Sequence, residues 1–295
     1  MKTELVQIFV DAFSVGGLYA LTALGIGLIF SVMRLANFAH AEFITVAAYT
    51  LFALSGQPLL ISIAISLLVV IALAVLTERV AFRPLRKADP ATMLISSFAV
   101  SMLLQKLLIF TFGSRVKALD PLPMLAQPVW IGNVQVSALK LVTIGVCAVL
   151  LIALTFFLKR TRLGLEMRAA AENFTMSRLL GVRSNSVIAM AFALSGFLAA
   201  VVAVLFAAQT GFVQPRLGVQ IVIIAFVATV IGGLGSLVGA AAGGFLVGVV
   251  STLLQAFLPP ELRAFREAFL FVVVILVLLA APQGLFPARG VKERI

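Results

Sequence analysis

The chain is poor in the residues that do covalent or metal chemistry. It holds one cysteine, one histidine and one tryptophan, and only 11 acidic residues among 295. A single cysteine excludes a disulfide within the chain and a cysteine-based metal site. Cys147 lies inside an apolar run, where it reads as a small packing residue. One histidine without a partner cluster is no metal site, and scattered carboxylates form no catalytic constellation. No GxxxxGK[ST] pattern occurs, so a nucleotide-binding loop is excluded. No catalytic residue, metal or cofactor is therefore assigned. Charge is scarce as well: 11% of residues are charged and 62% are hydrophobic, against about 25% charged in soluble domains. A soluble protein so short of charge could not cover its surface, so the sequence reads as a membrane protein.

What charge there is falls in telling places. The formal net charge of +11 could suit nucleic acid or anionic lipid. Most basic residues sit in short loops between apolar runs, which points to membrane orientation and away from nucleic acid. About 20 apolar residues span the hydrocarbon core as a helix. Apolar runs fall at 12–33, 38–55, 59–79, 91–112, 138–158, 187–208, 219–235, 237–257 and 267–281. Some are short or glycine-rich, so about eight or nine membrane segments are expected, some as half-helices, in one all-α polytopic bundle over 1–295. Glu4 and Asp11 interrupt the start, and the run after them is too long for a signal h-region, so the first segment is expected to stay as a transmembrane helix.

Three basic stretches set the direction. The first holds Arg79, Arg83, Arg86 and Lys87. The second holds Lys159, Arg160, Arg162, Arg168, Arg178 and Arg183. The third holds Arg289, Lys292 and Arg294. The positive-inside rule makes all three cytoplasmic. Counting back puts the N-terminus outside, provided 38–55 crosses fully. Residues Gly113 to Ser137 are then outside, and with Pro121, Pro123, Pro128 and Trp130 they read as an irregular loop with an interfacial aromatic anchor.

Two stretches are unusual at membrane depth. "MRLANFAHAEF" places Arg34, Asn37, His40 and Glu42 between two apolar runs, and buried charge there is costly. Asn37 suits an N-cap, and Glu42 suits the positive end of the helix dipole that follows. The stretch is either a capped cytoplasmic turn or a broken helix whose end faces a transport path. "IGGLGSLVGAAAGGFLVG" carries Gly232, Gly233 and Gly235, which should interrupt a helix. Ser236 should cap the next helix, and Gly239, Gly243, Gly244 and Gly248 give the small-residue spacing of close helix packing. Each stretch pairs a break with a cap, one near each end of the chain. By the topology above they run in opposite directions across the membrane, so an inverted repeat is expected, with Asn37, His40, Glu42, Gly235 and Ser236 as candidates for the substrate path.

"RAAAENFTMSRLLGVRSNS" differs from both. A helix is expected over Glu166–Leu180, with Gly181 at its C-cap. It has a slim start of Ala169, Ala170 and Ala171 and an apolar patch of Met176, Leu179 and Leu180. So short a helix is marginal alone, and it either lies on the membrane surface or docks on a partner.

Taken together, "NFAHAE", "RPLR", "RLGLEMRAAAENFTMSRLLGV" and "VIGGLGSLVGAAAGG" resemble the permeases of ABC importers for branched-chain amino acids, most closely the H-type subunit of Liv-type systems. The likeness runs in order along nearly the whole chain. The family usually has glycine where this chain has Ala41. The resemblance implies an inner-membrane permease subunit, N-terminus periplasmic and C-terminus cytoplasmic, that does no covalent chemistry. Its implied partners are two ABC ATPase subunits, a second homologous permease, a periplasmic amino-acid-binding protein and the lipid bilayer. It implies that the cytoplasmic segment of about 159–186 is a coupling helix, with Glu166, Arg168, Ala169, Ala170, Ala171, Glu172, Met176, Leu179, Leu180 and Gly181 facing the ATPase. The implied cargo is a branched-chain or related hydrophobic amino acid; the alternative within the family is urea, a short amide or an aromatic acid. An ion-coupled secondary transporter would need embedded carboxylates, for which only Glu42 stands near.

Overall fold

A computed structural model describes residues 2–86, 88–125, 127–131 and 134–286. Lys87, Arg289, Lys292 and Arg294 lie outside the described residues. The fold is all helical apart from two short ribbons. Among the described residues six helices are long and apolar enough to cross a membrane: α1 (Lys2–Met33), α3 (Leu59–Thr77, continued by a π-helical turn over Glu78–Phe82), α4 (Pro90–Phe112), α5 (Ala138–Arg160), α8 (Ser184–Thr210) and α10 (Leu237–Phe257). Three apolar helices are shorter: α2 (His40–Ala53), α9 (Leu217–Gly232) and α11 (Arg266–Ala280). Between α5 and α8 lie α6 (Arg162–Glu172) and α7 (Phe174–Leu179). The expected count of about eight or nine membrane segments, some as half-helices, is thus not fixed by helix length alone, because α2, at about 1.5 Å per residue, is about 21 Å long.

The ends of the helices sort into two groups. At one end, Gln7 near the start of α1 donates to the carbonyl of Gln135 (3.1 Å), and Asp11 pairs with Lys140. The region 113–137, expected to be irregular, contains order here. Strand β1 (Lys117–Ala118) pairs antiparallel with β4 (Phe212–Val213), and β2 (Pro128–Ile131) forms an antiparallel hairpin with β3 (Val134–Ser137). Trp130 stands exposed on that hairpin. At the other end, Arg34 after α1 reaches α6, and Arg86 binds both Glu78 and Asn185.

Helices α1 and α8 form the buried centre, while α3, α4 and α5 present long apolar faces outward, with Phe110, Ile95 and Ile152 among the exposed side chains. Such faces are stable against lipid or an apolar partner surface. The most extensive helix pairing is between α1 and α10, and it is made by glycine. A Cβ on Gly244 would come within 2.6 Å of the Ala20 Cα, one on Gly248 would overlap Gly16, and one on Gly27 would sit 3.0 Å from the Ala240 Cβ. The residue pairs run in opposite senses, so α10 is antiparallel to α1. Gly232 against Gly239 and Gly243 against Ala228 make α9 and α10 an antiparallel hairpin in the same way. Backbones this close gain dispersion contact that no larger residue allows.

It follows that α1 and α9 are parallel, and so are α2 and α10. The two broken stretches are therefore entered from the same end of the bundle, which corrects the expectation that they run in opposite directions. As a pair they supply no inverted repeat.

Candidate functional site

The first broken stretch leaves α1 at Arg34, whose φ of 54° puts a non-glycine residue in the left-handed region. The chain then folds back into the bundle. Asn37 Oδ1 accepts from the Ala39 amide (3.1 Å), and successive turns close from His40 to Asn37 and from Ala41 to Phe38. Asn37 is thus no N-cap of α2, which begins after Ala39 without a side-chain cap. It holds the turn before the helix, because its side chain reaches the amide two residues on. His40 then lies against Gly25, where a Cβ would stand 2.6 Å from the imidazole Cε1. Gly25 is about 12 Å along α1 from its end at about 1.5 Å per residue. So α2 starts well inside the bundle, as a broken helix.

Its polar groups are held by other helices. His40 Nδ1 shares a hydrogen bond with the Ser195 hydroxyl of α8 (2.9 Å), and Ser101 of α4 donates to Glu42 Oε1 (3.2 Å). Thr45 Oγ1 accepts from the Gly218 amide (3.1 Å) and so caps the start of α9. Phe38 stacks on Phe98 at 4.2 Å between centroids. Among the described residues Asn37 Nδ2, His40 Nε2 and Glu42 Oε2 have no hydrogen-bond partner. Asn37, His40 and Glu42 are 2%, 0% and 0% exposed. These three side chains are sealed inside the chain and line no open path in this conformation. Burial follows from the small residues around them, Gly25 and Ser195, which the sequence reading passed over. Ala41, in the family's usual glycine position, is also buried, its carbonyl pressed against Gly218.

The second break behaves as its spacing implies. Gly233 and Gly235 have φ of 111° and 87°, and the Ser236 hydroxyl accepts from the Gly239 amide (3.0 Å). Gly235 and Ser236 are half-buried at the Arg34 end. There the segment after α11 returns, its Leu285 and Phe286 amides donating to Ile231 and Gly232.

The segment after α5 is two helices where one was expected over Glu166–Leu180. Asn173 is extended (φ −150°, ψ 99°), and its side chain caps α7 by accepting from the Met176 amide (3.0 Å). A residue that competes so well for backbone amides ends one helix and starts another. The pair has different surroundings. Helix α6 is packed on its own bundle: Thr161 caps it through Gly164, a Cβ on Gly164 would overlap the Phe157 carbonyl, and Met167 and Ala170 are 2% and 3% exposed. Arg34 Nη2 donates to the Ala171 carbonyl near the end of α6 (2.8 Å). Ala170 is thus part of the chain's own core, which corrects the picture of a free alanine face over Ala169–Ala171. Glu166 and Ala169 are half-buried, while Arg168 and Glu172 are exposed.

Helix α7 carries the open face. Met176, Leu179 and Leu180 are 57%, 78% and 86% exposed. The helix ends at Gly181 (φ 89°), whose amide donates to Arg178 while that of Val182 donates to Ser177. Those are the two bonds of a Schellman motif, which favours glycine at that position. An apolar patch at a rigidly capped tip, mounted on a packed base, suits contact with another protein or with the membrane surface. Among the described residues no group of three or more His, Cys, Asp or Glu could hold a metal ion.

Comparison with known proteins agrees over the whole chain. Residues 8–280 match the family described as branched-chain amino acid transport system / permease component. The BraD permease protein of Pseudomonas aeruginosa, named for high-affinity branched-chain amino acid transport, is 34% identical, with 97% of each chain covered. The LivH proteins of Salmonella typhimurium and Escherichia coli K12, named likewise, are 33% and 32% identical over 98% of this chain and 97% of theirs. Among solved structures, PsaBC from Streptococcus pneumoniae, in complex with a Fab, aligns over 96% of this chain and 97% of its own. The TM-score is 0.51 and the identity 14%, a likeness of fold alone.

Proposed function

Since the chain belongs to the family of branched-chain amino acid transport permease components, we propose that it carries branched-chain or related hydrophobic amino acids into the cytoplasm as one membrane subunit of an ABC importer. Two ATPase subunits supply the energy, a second homologous permease completes the pore, and a periplasmic binding protein delivers the cargo. The chain sits in a bacterial inner membrane with its N-terminus periplasmic and its C-terminus cytoplasmic. The sorting of segments supports this orientation, since Arg83, Arg86, Lys159, Arg160, Arg168, Arg178 and Arg183 share the end that also receives the segment after α11.

The observation that carries the proposal is the exposed patch of Met176, Leu179 and Leu180, held up by α6 and closed by Gly181. Helix α7 seats in an ATPase groove, and α6 takes the load. Closure of the ATPases on ATP moves α7, α6 passes the displacement to the end of α1 through Arg34, and access switches from one side to the other. ATP drives this only if it binds the closed ATPase pair more tightly than the open one. The permease itself positions and moves; hydrolysis belongs to the partners.

Uptake into vesicles reconstituted with both permeases, both ATPases and the binding protein tests the reading across leucine, isoleucine, valine, urea, short amides and aromatic acids. Saturable, ATP-dependent uptake of the branched-chain set is expected. Uptake of urea or amides with none of leucine would place the chain with a different cargo inside the family. No ATP-dependent uptake of any ligand would refute the importer.

A further inference from the structure

Beside α7, at the same end of the bundle, the chain forms an open cleft of about 720 Å³. Arg83 and Arg86, from the turn after α3, face Arg178 of α7 and Arg183 before α8 across it, and the first turn of α8, with Ser184 and Asn185, completes the wall. No carboxylate lines it. Arg86 is neutralised by Glu78 and also bonds Asn185. Among the described residues Arg83, Arg178 and Arg183 have no ion-pair or side-chain hydrogen-bond partner. Helix α8 starts without a side-chain cap, so its first amides add donors and a positive dipole end to the same space. Three uncompensated guanidinium groups around one concavity repel each other unless an anion joins them. The positive-inside rule explains why arginines are at this end; it does not explain why they converge on one cleft without a counter-charge.

The position of the cleft indicates the source of that anion. Leu76 and Val80, on the segment that leads to Arg83, are 55% and 67% exposed. This outward apolar face ends at Val80, beside the exposed Arg79 and less than one turn before Arg83, so the cleft arginines lie where acyl chains give way to headgroups. Phe174 adds an apolar edge to the cleft. Guanidinium groups bind phosphate oxygens bidentately and are favoured over lysine for that purpose. Basic pockets between membrane helices on the cytoplasmic side suit anionic headgroups.

We infer that this cleft binds the phosphate of an anionic phospholipid of the cytoplasmic leaflet, held by Arg83, Arg178 and Arg183 and the first amides of α8. The lipid bridges the turn after α3 and the mobile-partner side at α7, so that it braces the docking helix from the membrane side. Lipid binding in the cleft needs only the membrane placement of the chain; the bracing of α7 as a docking helix rests on the proposed function.

Native mass spectrometry of the full-length chain, titrated in detergent with phosphatidylglycerol, cardiolipin or phosphatidylcholine, reads the binding. Arg83→Gln and Arg183→Gln remove charge without breaking a bond in the fold, and Arg115→Gln, at the opposite end, is the control. The anionic lipids should be retained over phosphatidylcholine. Each cleft variant should weaken them about fivefold and the pair together about 25–30-fold, as each basic group near an anionic surface contributes about that factor. Arg115→Gln should change nothing. Equal retention by wild type and the double variant overturns the inference. So does full displacement of the lipid by millimolar inorganic phosphate, which would make the occupant a soluble anion. So does retained lipid binding with lost ATPase recruitment in the double variant, which would make the cleft an acidic-protein contact.

Discussion

Replacing Gly181 isolates the contribution of one backbone angle to coupling. Gly181 has φ of 89°, and a Cβ built there meets nothing within 4 Å. Alanine would therefore add no clash, and its whole effect comes from holding an L-residue in the left-handed region, about 1–2 kcal/mol. At 1.4 kcal/mol per factor of ten, the ratio of capped to uncapped α7 should fall about 5- to 30-fold. Asparagine, which tolerates the same region, should retain most of it. The assay is ligand-stimulated ATP hydrolysis by the reconstituted transporter, alongside titration of ATPase binding to the permease. Gly181→Ala should insert and fold at normal levels, bind the ATPases more weakly and lose most of the stimulation, while Gly181→Asn remains close to wild type. Wild-type behaviour of Gly181→Ala would refute the reasoning. Equal loss in Gly181→Asn would show that flexibility, and not the left-handed angle, is what the position needs.

Other substitutions probe the base and the core. Arg34→Gly keeps the positive φ but removes the guanidinium that holds Ala171; basal hydrolysis should persist while stimulation by ligand drops severalfold, with Arg34→Lys recovering part of it, as read by the stimulated-to-basal ratio. Gly244→Leu or Gly248→Leu should abolish folded permease in detergent chromatography, because both positions press on the α1 backbone, whereas Gly145→Ala, with nothing within 4 Å, should be neutral. His40→Ala should lower thermal stability by about 2–4 kcal/mol, from a cavity plus the orphaned Ser195 hydroxyl; wild-type stability would show that the imidazole is not packed as described. Cysteines at positions 83 and 159 should be shielded from an impermeant thiol reagent in spheroplasts and those at 117 and 216 labelled, in a Cys147→Ala background, and the reverse pattern would invert the orientation.

Much of the architecture was readable from composition, because lipid demands long apolar helices whatever they contact. The second break was readable too, since glycine and serine at Gly233, Gly235 and Ser236 act through local backbone chemistry. The first was read only in part. Asn37, His40 and Glu42 are polar in an apolar setting, and polarity alone does not distinguish a pore lining from a sealed hydrogen-bond network. The decision lay with Gly25, Ser101 and Ser195, which come from distant parts of the chain and look ordinary where they stand. In the segment after α5, helix propensity carried the prediction straight through Asn173, whose cap bond to Met176 outweighs it. The exposure of α7 and the burial of Ala170 depend on how α6 meets α1 and α8, and no local pattern records that.

The glycine seam between α1 and α10 also bears on how the protein is made. Helix α1 leaves the ribosome well before the backbone it must touch, around Gly244 and Gly248, more than 200 residues further along the chain. At about 5–20 residues per second, the wait is on the order of 10–50 s. Throughout that time the strip of Gly16, Ala20 and Gly27 faces lipid or whatever the insertion machinery offers. Another small-residue helix arriving in that interval would compete for the strip, so assembly of the centre depends on the order and pace of synthesis as well as on the final fit.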